Sequence, residues 1–160
     1  MENEIGNCCN DLYLDFTFSD ISLARPPNQK GVYCIKVIER GLSTDKIEVE
    51  LATHISRLRW GMVQEYLNNR IRRLHNISDC PIIYIGSAGT NPTSKHTLAG
   101  RYQDFKIRHT IQYPIWALLY FGWELEYGWK VTDDPAGTES NIKEVYKERH
   151  NGKLPALVSR

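Results

Sequence analysis

Two short apolar runs constrain this chain more than any other feature, because each sets a tyrosine two residues from a glycine. GVYCIKVIE (31–39) places Tyr33 two residues after Gly31, and CPIIYIGSAG (80–89) places Tyr84 two residues before Gly86. Both runs are rich in β-branched and aromatic residues and have the length of buried strands. If they pair in one sheet, the two phenols stand near each other at one end of it. Taken singly, a tyrosine in such a strand is more often core than catalyst. Gly86, directly beyond Tyr84 and Ile85, lets backbone or ligand come close, so the hydroxyl of Tyr84 either packs or is aimed at something.

The remaining pattern fills in around these strands. ARPPNQKG (24–31) is a loop, since its prolines cannot continue a helix. GLSTDK reads as a turn and KIEVEL (46–51) alternates, which predicts a hairpin with 31–39. Residues 53–75 read as one amphipathic helix, with Met62, Val63, Tyr66, Leu67, Ile71 and Leu74 on one arc. Arg70 falls inside that arc and must either snorkel or meet a partner. A polar loop, SAGTNPTSKH, leads to a helix near 97–109 carrying Leu98, Tyr102 and Phe105 at helical spacing. IWALLYFGWEL (115–125) is too apolar for periodicity to separate helix from strand, and its aromatic residues read as core rather than as an exposed partner patch. EYGWKVT (126–132) predicts a strand, DDPAG a turn, and Thr138 an N-cap for a last helix over 139–150, closed by HNGKLP. This order predicts an α+β fold with a small antiparallel or mixed sheet flanked by helices. One domain spans 1–160, with an acidic N-terminal extension at 1–30 and an insertion at 40–80 that carries a basic helix between the two tyrosine runs.

Composition narrows the class. A chain of 160 residues with 41% hydrophobic and 24% charged residues has the size and balance of one ordinary globular domain. No apolar run approaches the ~20 residues that cross a bilayer, and the N-terminus lacks the basic start and apolar stretch of a secretion signal. The expected compartment is the cytoplasm, with no membrane partner. Cys8 and Cys9 are adjacent, without metal-finger spacing, and Cys34 and Cys80 sit beside apolar strand residues; all four are expected to be free thiols, with no zinc site. Net charge is only +1, but it is unevenly spread: −5 over residues 1–20, +4 over 54–75 and +3 over 95–109. Arg57, Arg59, Arg70, Arg72, Arg73 and Lys95 thus lie in segments able to present a basic face to phosphates.

Two further residues border apolar surface. Arg101 lies close to the arc of Leu98 and Phe105, and Glu139 shares the side of its helix with Ile142 and Tyr146. An inward carboxylate needs a partner, a proton or a metal. Tyr33, Tyr84, Arg101 and Glu139 together would suit phosphodiester hydrolysis, which needs a base for water, a cation for the transition state and a Lewis acid for the leaving oxygen. A phenol beside an arginine and a hydrated divalent ion can reach its anion, and Mg²⁺ accepts a single carboxylate while keeping waters.

GVY at 31–33, YIG at 84–86, Arg101 in LAGRYQDF and Glu139 in TESNIKEVY resemble, in order and type, the GIY-YIG nuclease superfamily, over about residues 31–158. The resemblance implies a DNA endonuclease dependent on Mg²⁺ or Mn²⁺, with a small antiparallel sheet flanked by helices. It implies that Tyr33 and Tyr84 activate and position water (Tyr33 the favoured base), Arg101 steadies the scissile phosphate and Glu139 holds the metal. Three departures stand out. About fifty residues separate the tyrosines where the family has a short connection, and the basic helix of this insertion would track DNA. Phe105 stands where many members carry His or Tyr one turn after the arginine, leaving His109 as the substitute. Val158 stands near the position of a terminal asparagine. A restriction-type enzyme is the expected subclass; a structure-specific repair nuclease and a catalytically inactive nucleic-acid-binding module are the alternatives. With one centre per chain, cutting both strands calls for a homodimer or sequential nicking.

Overall fold

The computed structural model describes residues 5–90, 96–107 and 111–158. Four strands form one antiparallel sheet in the order β1-β4-β2-β3, where β1 is Thr17–Asp20, β2 Gly31–Glu39, β3 Ile82–Ala88 and β4 Glu124–Val131. The helices are α1 (Thr44–Ile55), α2 (Gly61–Arg72), α3 (Leu98–Ile107), α4 (Gln112–Tyr120) and α5 (Pro135–Arg149). The expected α+β class is observed, and the sheet is antiparallel throughout. Among the described residues no helix is long and apolar enough to cross a membrane.

The tyrosine strands pair as the opening pattern anticipated. Tyr33 lies opposite Gly86 and Ile35 opposite Tyr84, so the two phenols are diagonal neighbours on one face. That face packs against α3 and α4, with α1 and α2 layered outside α4. The opposite face carries Val32, Cys34, Ile82 and Ile85, and is covered by Ile142 and Tyr146 of α5 together with Cys9 and Tyr13. Gly31 is required where it stands: a Cβ there would meet the Lys130 carbonyl oxygen at 2.2 Å and Leu98 Cδ1 at 2.7 Å.

Several expectations are corrected. KIEVEL is not a strand and makes no hairpin with 31–39; it lies inside α1. Ile47, Leu51 and Ile55 fall one helical turn apart and face inward, whereas Val49, which a strand would place beside them, is 68% exposed. The single helix expected over 53–75 is instead the end of α1, a connection at 56–60, α2, and a 3-10 turn at Arg73–Asn76. His75 in that turn pairs with Asp45 and Glu48 of α1, which folds the insertion back on itself. The ambiguous 115–125 run divides between α4 and the start of β4. Ile115, Ala117, Leu118 and Leu125 are core, but Tyr113, Trp116 and Tyr120 lie on the outer side of α4 and are exposed. Together with Leu67 and Ile71 they line an apolar groove between α4 and α2.

The last helix begins four residues before 139. Asp134, not Thr138, is its cap: the Asp134 carboxylate accepts from the Gly137 amide at 3.0 Å, and Pro135 occupies the first turn, where its missing N–H costs nothing. Asn151 and Gly152, both at positive φ, end the helix, and the Gly152 amide returns to the Lys147 carbonyl at 2.8 Å. The acidic N-terminal segment is woven into the fold rather than appended. Its strand β1 is the sheet edge beside β4, and Asp15 and Asp11 meet Lys130 and Arg149.

Candidate functional site

The site forms around β3, the edge strand opposite β1. Tyr33 lies between two rings. Its centroid is 5.9 Å from that of Tyr84 and 5.4 Å from that of Tyr127, and it stacks nearly parallel to the latter. Gly86 makes this possible, because a Cβ at that position would come within 2.6 Å of Tyr33 Cζ and 2.9 Å of Tyr84 Cε1. Tyr33 is 3% exposed, whereas Tyr84 is half-buried.

A hydrogen bond links the two hydroxyls; it acts to raise the pKa of Tyr33 and to lower that of Tyr84. Burial is the largest influence on both and pushes both above the usual phenol range. For Tyr84 the Tyr33 hydrogen bond, Arg101 and Arg73 pull back against burial, while the Glu139 carboxylate adds to it. The field at Tyr84 therefore registers Tyr33, Arg101, Arg73 and Glu139 together.

Arg101 reaches this place from α3, and its Nε is buried with no hydrogen-bond partner among the described residues. A buried guanidinium nitrogen left in that state is suited to an incoming anion. Glu139 arrives from the other face of the sheet, on α5. Its side chain is 18% exposed; one carboxylate oxygen accepts from Ser87 Oγ, and the other accepts from Lys143 Nζ at 2.5 Å. The placement follows from β3 itself, whose alternation sends Tyr84 to one face and Ser87 to the other.

The basic residues of the insertion separate into two groups. Arg57 and Arg59 are exposed in the connection before α2, and Arg72 is exposed at the end of α2. Arg70 and Arg73 are half-buried. Of the two outcomes open to Arg70, it meets a partner: its guanidinium lies 4.9 Å from the centre of the Tyr66 ring. Burial, followed by Arg70, holds Arg73 below the usual arginine range, and the hydroxyls of Tyr66 and Tyr84 act in the opposite direction. Phe105 packs against Tyr102 and Tyr127 as a core residue. His109 and Lys95 lie outside the described residues.

Sequence reasoning missed Ser87 and Lys143 as parts of this site, and placed Arg73 only along the DNA path. Ser87 had a usable signal, since it follows Gly86 on the strand face opposite Tyr84. Lys143 had one as well, being four residues after Glu139 on a helix.

A single half-buried carboxylate with a hydroxyl neighbour fits one hydrated divalent ion, and it would hold that ion through Glu139 alone. The Lys143 ammonium sits on the same carboxylate, so the two cations compete. Lys143→Gln is expected to tighten the binding of a divalent ion at Glu139 several-fold, read from a Mn²⁺ titration of the purified chain. An unchanged midpoint would remove Lys143 from the site's electrostatics.

Compared with known protein families, with curated proteins and with solved structures, the chain matches none of them. The resemblance to GIY-YIG nucleases therefore stands on the residues themselves.

Proposed function

We propose that this chain is a divalent-metal-dependent DNA endonuclease of restriction type, with Tyr33, Tyr84, Arg101 and Glu139 as its centre. The observation that carries the reading is their convergence on β3 from two strands, two helices and both faces of the sheet. A packing tyrosine needs neither an arginine with a buried, unpartnered Nε nor a carboxylate acting on it by charge.

In this reading Tyr84 is the base rather than Tyr33. Tyr33 is enclosed between two rings, whereas Tyr84 is half-buried and has Arg101 and Arg73 to favour its anion. Tyr84 then takes the proton from water attacking the phosphorus. Arg101 compensates the charge that grows on the phosphoryl oxygens. Bound at Glu139, Mg²⁺ or Mn²⁺ would supply the Lewis acid for the leaving oxygen. Arg73 and Arg70 stand where the backbone of a bound duplex would enter, and Arg57, Arg59 and Arg72 extend the path as phosphate contacts. That extra basic surface beside the centre supports the restriction type over a repair nuclease. Cutting both strands calls for a homodimer or for two successive nicks.

The first test is incubation of the purified chain with supercoiled and linear DNA of mixed sequence, with Mg²⁺ and with EDTA. Discrete, metal-dependent fragments are expected; nicking or a smear would favour the repair alternative. The pH profile adds a sign. Because burial holds Tyr84 above its usual range, only a small fraction is ionised near neutrality, so the rate should climb about tenfold per pH unit through the neutral and mildly alkaline range. Tyr84→Phe should lower the rate by about 10²–10⁴-fold and flatten that climb. A flat profile in the unmodified chain would remove Tyr84 as the base.

One observation favours a second reading. Lys143 neutralises Glu139, as would suit a nucleic-acid-binding module that has lost turnover. Tight, salt-sensitive DNA binding without cleavage in any divalent metal would select it.

A further inference from the structure

Cys8, Cys9, Cys80 and His150 come from three distant parts of the chain and meet on the side of the sheet covered by α5. One ligand atom from each lies within 4.8 Å of every other. His150 Nε2 is 3.6 Å from Cys8 Sγ and 3.3 Å from Cys9 Sγ. In a tetrahedral zinc site, bond lengths of ~2.3 Å to sulfur and ~2.0–2.1 Å to nitrogen set the sulfur–nitrogen edge at about 3.6 Å. The first distance matches that edge and the second falls just short of it, a gap that side-chain adjustment alone can close.

We propose that Cys8, Cys9, Cys80 and His150 bind one zinc ion as a closed, structural Cys₃His site that fastens the N-terminal segment to the start of β3 and the end of α5.

The surroundings have the form of a metal site's outer shell. The His150 ring stacks on Tyr146 at 4.0 Å between centroids, with 20° between the planes, which fixes its orientation. Arg149 Nη1 donates to the Cys8 carbonyl at 2.8 Å, and the guanidinium meets both oxygens of Asp11, at 2.6 and 2.8 Å. The backbone that presents Cys8 and Cys9 is thereby held from α5 before any ion arrives. Cys9 and Cys80 are buried, and a dication is the partner that lets buried sulfur carry the negative charge ligation requires. The turn at Asn151 and Gly152 sets His150 at the very end of α5, where the ring can face the thiols.

The site is separate from the proposed nuclease centre. His150 follows Glu139 by three turns of α5, about 16 Å along a helix axis. Cys34 is a buried free thiol elsewhere in that core cluster and takes no part.

The test uses the full chain, purified under reductant without chelator, with no DNA present. Elemental analysis should find about one zinc per chain, retained in Glu139→Gln and lost in Cys80→Ser and in His150→Ala. Exchange for Co²⁺ in the unmodified chain should give a thiolate-to-cobalt charge-transfer band and the strong visible bands of a tetrahedral ion, a reading that does not depend on whether a variant folds. Less than about a tenth of an equivalent of zinc, with an octahedral cobalt spectrum, would overturn the proposal. So would a mass two hydrogens low under mild oxidation with no metal bound, which would make the cluster a disulfide pair. Zinc kept by Cys80→Ser and His150→Ala but lost by Glu139→Gln would place the ion at the other centre and overturn it equally.

Discussion

Glu139→Gln should abolish metal-dependent cleavage while leaving DNA binding within about threefold of the unmodified chain. The substitution keeps the side chain's shape, and glutamine can still accept from Ser87 Oγ, so α5 remains seated on β3. What disappears is the negative charge. Without it the site has no anionic oxygen for a divalent ion, and the ion's stabilisation of the transition state is lost with it. Several kcal/mol of barrier correspond to a fall of about a thousandfold or more in the cleavage rate. Lys143, deprived of its partner, adds positive charge near the proposed DNA path, so affinity should hold or rise slightly. Rates and affinities measured on the same preparation decide the matter, and unchanged cleavage would sink the assignment of Glu139. A fall in binding and cleavage together would make Glu139 a structural residue of α5 instead.

Gly86→Ala should damage both fold and site. The added methyl would stand 2.6 Å from Tyr33 Cζ and 2.7 Å from its hydroxyl oxygen. Tyr33 cannot swing clear, because Tyr127 stacks on one side and Tyr84 lies on the other. Overpacking of this kind costs about 1–3 kcal/mol, which for a domain of this size lowers Tm by roughly 2–4 °C per kcal/mol. Cleavage should fall further than stability explains, since the displaced phenol is the hydrogen-bond partner of Tyr84. Thermal denaturation with cleavage measured well below the transition separates the two effects. A Tm within a degree of the unmodified chain would show that the rings rearrange freely, and would remove the steric account of this glycine.

Much of the site could be read in one dimension. Tyr33, Tyr84, Arg101 and Glu139 were each marked by residue type against a local period. That the two tyrosine strands would bring their phenols together depended on their pairing, which the structure supplies. A helix placing Glu139 on the side of Ile142 and Tyr146 was equally legible, because both define its buried stripe. Where local signals competed, the reading failed. KIEVEL satisfies a two-residue alternation as well as a four-residue one, and only contact of Ile47 and Ile55 with the rest of the core selects the helix. Asp134 and Thr138 can both cap, and Pro135 decides between them through its rigid φ and missing N–H.

The sequence alone singled out the candidate residues and their order, since periodicity and residue type are local properties. Tertiary structure alone decided who meets whom. Lys143 and Ser87 share Glu139, Arg73 reaches Tyr84 from the insertion, and Cys8, Cys9, Cys80 and His150 gather across some 140 residues of chain. No spacing rule encodes such meetings, because each depends on how a sheet edge, a helix end and an N-terminal segment pack together.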